Sequence, residues 1–164
     1  MYFYRLLLTA NLLILLGGFS LNSQAAEATI KVASIAEMDV EVIKNGIRQI
    51  KRGAPDKAVP GSEVIFTNRF ENVSNKTASD IVIDNPIPSN TEYKAGSAFG
   101  KDCAILFSAD GGKTFGVAQS IKFKAADGRE YNALPGQYTN IRWTYTGKLL
   151  PGKTGEVGFR AAIK

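Results

Sequence analysis

The alternation of apolar and polar residues is the feature of this sequence that most restricts its fold. From Ile30 to Val42 the even positions are mostly apolar, and the odd positions carry the charged side chains. A period of two is typical of a β-strand with one buried face, because successive side chains of a strand point to opposite sides. Asn45-Gly46 follows, and this dipeptide readily adopts the two positive φ angles of a tight turn. The sequence therefore predicts a hairpin whose second strand covers 47–52.

Shorter alternating segments follow in the rest of the chain, separated by glycine and proline. They predict strands at 63–70, 80–84, 103–107, 121–125, 141–146 and 156–164. No window of adequate length shows a helical period. Short strands at near-regular spacing, with turn residues between them, are typical of a β-sandwich. We therefore predict an all-β, antiparallel β-sandwich that forms a single domain over residues 27–164.

The large aromatic residues are the candidates for the core of such a sandwich, in which two inner faces pack against each other. The candidates are Phe66, Phe70, Tyr93, Phe107, Trp143 and Phe159. An aromatic row can also form a platform for glycans, but at strand spacing aromatic residues more often belong to the core. Cys103 shares the register of Ile105 and Phe107, so we expect its thiol to be buried.

The scarcity of two residue types excludes most enzyme chemistry. The sequence of 164 residues has no histidine and a single cysteine. It therefore has no His-based metal site, no Ser-His-Asp or Cys-His catalysis, no intrachain disulfide and no cysteine cluster for zinc. We expect no catalytic, cofactor-binding or metal-binding residues, and no cofactor. Paired carboxylates for glycoside hydrolysis stay open as an alternative, and the candidates are Asp102, Asp110, Asp127 and Glu130.

The N-terminal residues 1–26 have the order of a secretory signal peptide. Arg5 supplies a positive charge, an apolar run covers residues 6–16, and residues 23–25 provide a cleavage point. A membrane anchor is the alternative, but a span needs about 20 apolar residues, and this run is shorter and interrupted by Asn11. We therefore predict cleavage after Ala26, export to the periplasm or the medium, and no membrane span afterwards.

The charge balance is modestly basic, with 20 Lys and Arg residues against 15 Asp and Glu residues. A nucleic-acid site needs a clustered basic patch or stripe. Only Lys51 and Arg52 are adjacent in this sequence. Because the basic residues are scattered and export is predicted, we expect no nucleic-acid partner.

A series of short motifs resembles a known bacterial family. In chain order the matching residues are Pro60-Gly61-Ser62, Phe66-Thr67, Asn72, Ile81-Val82-Ile83-Asp84, Pro88, Tyr93 and Gly96-Ser97. The pattern resembles the bacterial surface-protein conserved repeat module called domain of unknown function 11, and the similarity covers about residues 59–164. The resemblance implies an immunoglobulin-like sandwich of envelope or secreted proteins, without catalytic residues.

Three of these motif positions are interpreted as turn residues. Pro60-Gly61 suits a turn because proline presets φ and glycine accepts a positive φ. Asn72 and Asp84 carry short polar side chains that can hydrogen-bond to the backbone of a turn.

Two further motifs match patterns of nucleotide-binding or glycan-processing proteins. The segment 147–154 fits the phosphate-loop pattern GxxxxGK[ST], but that loop needs a following helix, whereas the residues after Thr154 alternate as a strand. The segment 108–115 fits the Asp-box pattern of sialidase-like propellers, where the motif forms a hairpin remote from catalysis. We interpret both as turns, expect no nucleotide, and expect Asp110 to accept N–H bonds from the Gly111-Gly112 turn.

Taken together, these patterns favour an exported, non-catalytic β-sandwich module with a structural or protein-interaction role at the bacterial envelope or outside the cell. The expected partner is another envelope or secreted protein. A small-ligand or glycan-binding module is the alternative, and an exposed aromatic cluster would favour it. A glycoside hydrolase is the least favoured interpretation.

Overall fold

The computed structural model describes residues 28–56 and 58–164. All strand pairs in this part of the chain are antiparallel, and its single helical element is one 3-10 turn at Pro135–Gln137. The all-β prediction is therefore confirmed. None of the described residues belongs to a helix long and apolar enough to cross a membrane. The predicted signal peptide at 1–26 lies outside the described residues.

Eleven strands make up the described chain. They are β1 (Ile30–Lys44), β2 (Ile47–Gly53), β3 (Glu63–Asn72), β4 (Val82–Pro86), β5 (Thr91–Tyr93), β6 (Phe99–Gly100), β7 (Cys103–Ser108), β8 (Lys122–Lys124), β9 (Glu130–Asn132), β10 (Asn140–Tyr145) and β11 (Thr154–Ile163). The larger sheet has the order β2-β1-β3-β11-β5, and β6 also pairs with β11. The smaller sheet has the order β4-β10-β7, and β8 and β9 form a separate hairpin.

The two sheets share one core between their inner faces. Trp143 of β10 stacks on Phe159 of β11 with ring centroids 6.3 Å apart, and Tyr93 of β5 lies 5.3 Å from Phe107 of β7. Phe70 is also fully buried, so five of the six predicted core aromatics lie in this core. The sixth, Phe66, is half-buried and stacks on Phe159 at 5.1 Å. Interdigitated aromatic rings therefore hold the sheets together.

Cys103 lies in the predicted register but is less buried than expected. It pairs across the sheet with Tyr145 and packs against the edge of the core, where it is only half-buried. The expectation of a buried thiol is therefore wrong. Partial burial, with a smaller contribution from the negative charge of Asp102, raises the pKa of Cys103 above its ordinary value.

The strand predicted at 80–84 lies two residues further along the chain, at Val82–Pro86. Asp80 has a φ of +55° and belongs to the preceding turn. β4 is the edge strand of the smaller sheet, where a proline costs no ladder hydrogen bond if its nitrogen faces away from the neighbouring strand. This explains why Pro86 can lie in the strand, as its last residue, opposite Asn140.

The first hairpin extends past the rest of the larger sheet. Residues 30–37 of β1 pair with β3, whereas residues 38–44 pair only with β2, so residues 38–53 form a two-stranded ribbon that we call the hairpin arm. Asn45 and Gly46 have φ angles of +52° and +76°, as the turn prediction requires. No residue of the arm is buried, and Ile43 and Ile50 are 73% and 75% exposed. The second sheet therefore leaves the arm without a core.

Candidate functional site

The Asp-box segment is a closed hairpin turn after β7. Phe107 and Gly116 exchange two backbone hydrogen bonds at its base, of 2.9 and 3.0 Å. Ser108 Oγ is buried and donates to Asp110 Oδ1 at 2.6 Å. Thr114 Oγ1 donates to Asp110 Oδ2, also at 2.6 Å. The Ser, Asp and Thr residues of the Asp-box pattern are therefore hydrogen-bonded to one another.

Asp110 holds this turn through different backbone groups from those predicted. Its carboxylate accepts N–H bonds from Lys113 and Thr114, at 3.0 to 3.1 Å, whereas the Gly111 and Gly112 N–H groups donate to other side chains. The prediction of a carboxylate-capped turn is right, and the assignment of its donors is wrong. Hydrogen bonds from the Ser108 and Thr114 hydroxyls, then from the backbone, hold the pKa of Asp110 well below its usual range.

The outer face of the smaller sheet carries an ion pair beside this turn. Arg142 donates to both carboxylate oxygens of Asp84, each at 2.7 Å, and the Phe115 ring lies 3.9 Å from the guanidinium carbon. The hydrogen bond and charge of Asp84 raise the pKa of Arg142. Asp84 therefore bonds across strands, and its predicted role in a turn is wrong.

The phosphate-loop pattern forms a tight turn between β10 and β11. Lys153 N–H donates to the Leu150 carbonyl at 3.0 Å, Gly152 has a φ of +69°, and Thr154 begins the strand β11. A strand cannot present the free N–H groups that a helix N-terminus offers to phosphate. The pattern therefore lacks the structure that its chemistry needs.

Asn72 fastens this turn to the loop that follows β3. Its amide nitrogen donates to the carbonyl oxygens of Lys76 and Leu149, at 2.6 and 2.8 Å, and its amide oxygen accepts from the Ser74 backbone and hydroxyl. Asn72 is completely buried. The prediction that Asn72 satisfies turn backbone groups is confirmed.

The four candidate carboxylates lie in separate turns and strands. Asp102 follows β6 with a φ of +56°, and Glu130 starts β9. Asp127 pairs with Arg129, whose side-chain and backbone hydrogen bonds lower the pKa of Asp127. In the described part of the chain, no three His, Cys, Asp or Glu residues are grouped as metal ligands.

The hairpin arm presents two chemically different sides, because residues paired across a hairpin share a side. The outer side carries Ile43 and Ile50 among ion pairs. Arg48 lies 3.1 Å from Glu41, and Arg160 of β11 contacts Asp39 at 2.8 Å. Charges on this side are therefore matched within the molecule.

The inner side of the arm continues the core-facing side of the larger sheet. Its apolar residues are Met38, Val40, Val42 and Ile47. Between them lie Lys44 and Lys51, which form no ion pair within residues 28–56 and 58–164. This side therefore combines an apolar strip with uncompensated positive charge.

A second candidate surface is an apolar cleft of about 550 Å³ beside β7. Three of its lining rings contact one another, since the centroids of Tyr93, Phe107 and Tyr138 are 5.0 to 5.9 Å apart. Burial, and then the neighbouring Tyr93, raises the pKa of Tyr138. Five other lining residues are small and leave space in the cleft, namely Ala95, Gly96, Ala98, Ala118 and Ala133.

The sequence analysis missed this cleft and the exposure of the arm. Tyr93 belongs to the core, as predicted, but Tyr138 lies after a 3-10 turn and carries no strand pattern. The small residues of the cleft come from three separate loops, so no local spacing connects them.

No protein-family model matches the chain, and no curated protein matches it. The resemblance to the surface-protein repeat module therefore stays a prediction from the sequence.

Proposed function

We propose that this chain is an exported, non-catalytic module with an immunoglobulin-like sandwich, which binds another envelope or secreted protein of a bacterium through its hairpin arm. The exposed apolar arm is the observation that carries the proposal. Ile43, Ile47 and Ile50 are all more than 60% exposed and lie on one projecting ribbon. Clustered exposed apolar side chains mark interaction surfaces more often than single ones do.

The free edge of β2 supports binding by strand addition. β2 is the terminal strand of the larger sheet, so one row of its backbone N–H and C=O groups has no strand partner among the described residues. An extended segment of another protein can pair with such an edge, with main-chain bonds giving affinity and side chains giving specificity.

The positive charge of β2 favours a partner segment that carries acidic residues. The strand carries Arg48, Lys51 and Arg52 and no acidic residue. Antiparallel pairing of two β2 edges would bring these like charges together, which is unfavourable. The inner side of the arm adds Lys44, which, like Lys51, forms no ion pair with any described residue. The partner segment is therefore an apolar strand with acidic residues, from a different protein and not from a second copy.

The structure of the motif residues supports a non-catalytic role. Asp110 is engaged in its own turn, and Asp84 is engaged by Arg142 on the outer face of the smaller sheet. A general acid or nucleophile needs a group that is free to reach a substrate. These carboxylates serve local structure instead.

The proposal is tested by site-specific photo-crosslinking of the full chain in its native host. A benzophenone amino acid replaces Ile50, and in a matched control it replaces Leu150, which is 51% exposed in the turn before β11. We expect a discrete adduct with one envelope or secreted protein from position 50 and none from position 150. Lys51→Glu in the Ile50 variant should weaken that adduct.

Equal adducts from positions 50 and 150, or none from position 50, would contradict the interaction role of the arm. Export is tested separately in the same cells by measuring the mass of the chain. The mass should correspond to a mature chain without residues 1–26. A full-length chain in the cytoplasm would overturn the localisation without bearing on the arm.

A further inference from the structure

We propose that the apolar cleft beside β7 binds a small neutral molecule built on a flat ring, carrying a hydroxyl or carbonyl group. This site lies on other elements than the hairpin arm, and the inference does not depend on the arm's role. Its lining comes from the 95–98 loop, β7 and the segments 118–119 and 132–138.

The size and charge of the cleft define the class of ligand. A volume of about 550 Å³ lies within the range of small-molecule sites, which is roughly 300–1,000 Å³. Among the described residues, none of those that line it is charged. An ion would lose its hydration there without gaining a partner, and that loss is costly. A neutral ligand avoids this penalty.

Hydrogen bonds within the protein hold the walls in place before any ligand arrives. Tyr138 Oη donates to the Ala118 carbonyl at 2.7 Å, and Ala98 N–H donates to Tyr93 Oη at 3.2 Å. Each bond ties a loop of small residues to the ring cluster. A preformed cleft binds without an ordering cost for its loops, and the small side chains keep the space open.

The ring cluster favours a flat ligand over a flexible chain. Phe107, Tyr93 and Tyr138 line the cleft although their side chains are largely buried, and a flat ring packed against aromatic side chains gains energy beyond the area it buries. The polar groups of the lining include the amides of Gln119 and Asn132, both on exposed residues, so they suit a ligand group at the opening. Lys122 donates to Asn132 Oδ1 at 2.7 Å, and an amide N–H₂ can donate to a hydroxyl or carbonyl oxygen of a ligand.

The test is titration of the isotope-labelled full chain with 2-naphthol, monitored by amide chemical shifts. We expect saturable shifts that cluster at Gly96, Ala98, Ala118 and Ala133. 2-Naphthalenesulfonate has the same ring with a fixed charge, and we expect binding at least about tenfold weaker, equivalent to about 1.4 kcal/mol. Decanol, a flexible chain with one hydroxyl, should also bind more weakly than 2-naphthol.

A pair of variants locates the binding. Ala95→Trp places a large side chain on the exposed rim of the cleft and should abolish the shifts. Ala104→Trp is the matched control, because Ala104 is an exposed alanine of β7 that pairs with Thr144 on the outer face. It should bind 2-naphthol as the wild type does. Shifts that survive Ala95→Trp, or equal binding of the sulfonate, would overturn the proposal, as would a complete lack of shifts.

Discussion

The hairpin arm and strand β10 share one sequence pattern and meet different surroundings. In β10 and in residues 38–42 of the arm, apolar and polar residues alternate, and both segments fold as antiparallel strands. Trp143 of β10 is completely buried against Phe159, whereas Ile47, on the inner side of the arm, is 62% exposed. The difference arises because β10 lies between β4 and β7 and faces the larger sheet, whereas the arm extends past the last residue that pairs with β3.

This comparison separates what a strand pattern determines from what it does not. Alternation sets which side chains share a face, since that follows from the geometry of the backbone. Burial of that face depends on whether another layer covers it, and this is decided by distant parts of the chain. The arm is therefore a strand pair whose apolar side chains are available to a partner.

The largest expected effect comes from truncating the core. Trp143→Ala removes a completely buried ring and should lower the free energy of unfolding by about 3–5 kcal/mol. Trp143→Phe should cost much less, because it leaves a smaller cavity and removes an indole N–H that has no partner within the described residues. Urea unfolding of both variants measures these losses, and a Trp143→Ala variant as stable as the wild type would mean that the sheets do not pack here.

An intermediate effect is expected at Asp110. The pKa of Asp110 in the folded chain lies below the ordinary value of about 3.9, so its ionised carboxylate stabilises the fold. This stabilisation is complete above the ordinary pKa and is lost as the pH falls through the folded-state pKa. Asp110→Asn should therefore lower the melting temperature at pH 7, and the gap to the wild type should narrow at pH 3.

Asp127→Asn is the matched control for Asp110. Its pKa is also lowered, but its hydrogen bonds come from Arg129 in the same short turn, so we expect a smaller loss of melting temperature. If the difference in melting temperature between the wild type and Asp110→Asn became larger in acid, the ionised carboxylate would not be what holds the turn.

The smallest expected effect comes from truncating the arm. Ile50→Ala should change the free energy of unfolding by no more than about 0.5 kcal/mol, as is usual for exposed positions. The same urea titration that is used for Trp143 measures it. A loss of several kcal/mol at Ile50 would place the arm within the cooperative core and remove the reason to treat its isoleucines as a binding surface.

Particular residues show how far the sequence alone could lead. The Asn45-Gly46 turn, the Asp110 turn and the bond of Asn72 to the Ser74 backbone were predictable because each depends on contacts within a few residues. The bond of Asn72 to Leu149, 77 positions away, was not. β5, β6 and β9 have only two or three residues, which is too short for an alternation to stand out. Asp84 looked like a turn residue because its partner Arg142 is 58 positions away. The cleft was hidden for the same reason, since its walls meet only in the folded chain.

The most direct test of this account is native-state hydrogen exchange of the full chain. Backbone amides of residues 40–51 should exchange faster than those of β3 and β10 by about 100-fold or more, as expected where local opening costs a few kcal/mol less than global unfolding. Trp143→Phe should speed exchange in β3 and β10 and leave the arm unchanged. Equal protection in arm and core, with a common response to Trp143→Phe, would contradict an arm that stands apart from the core.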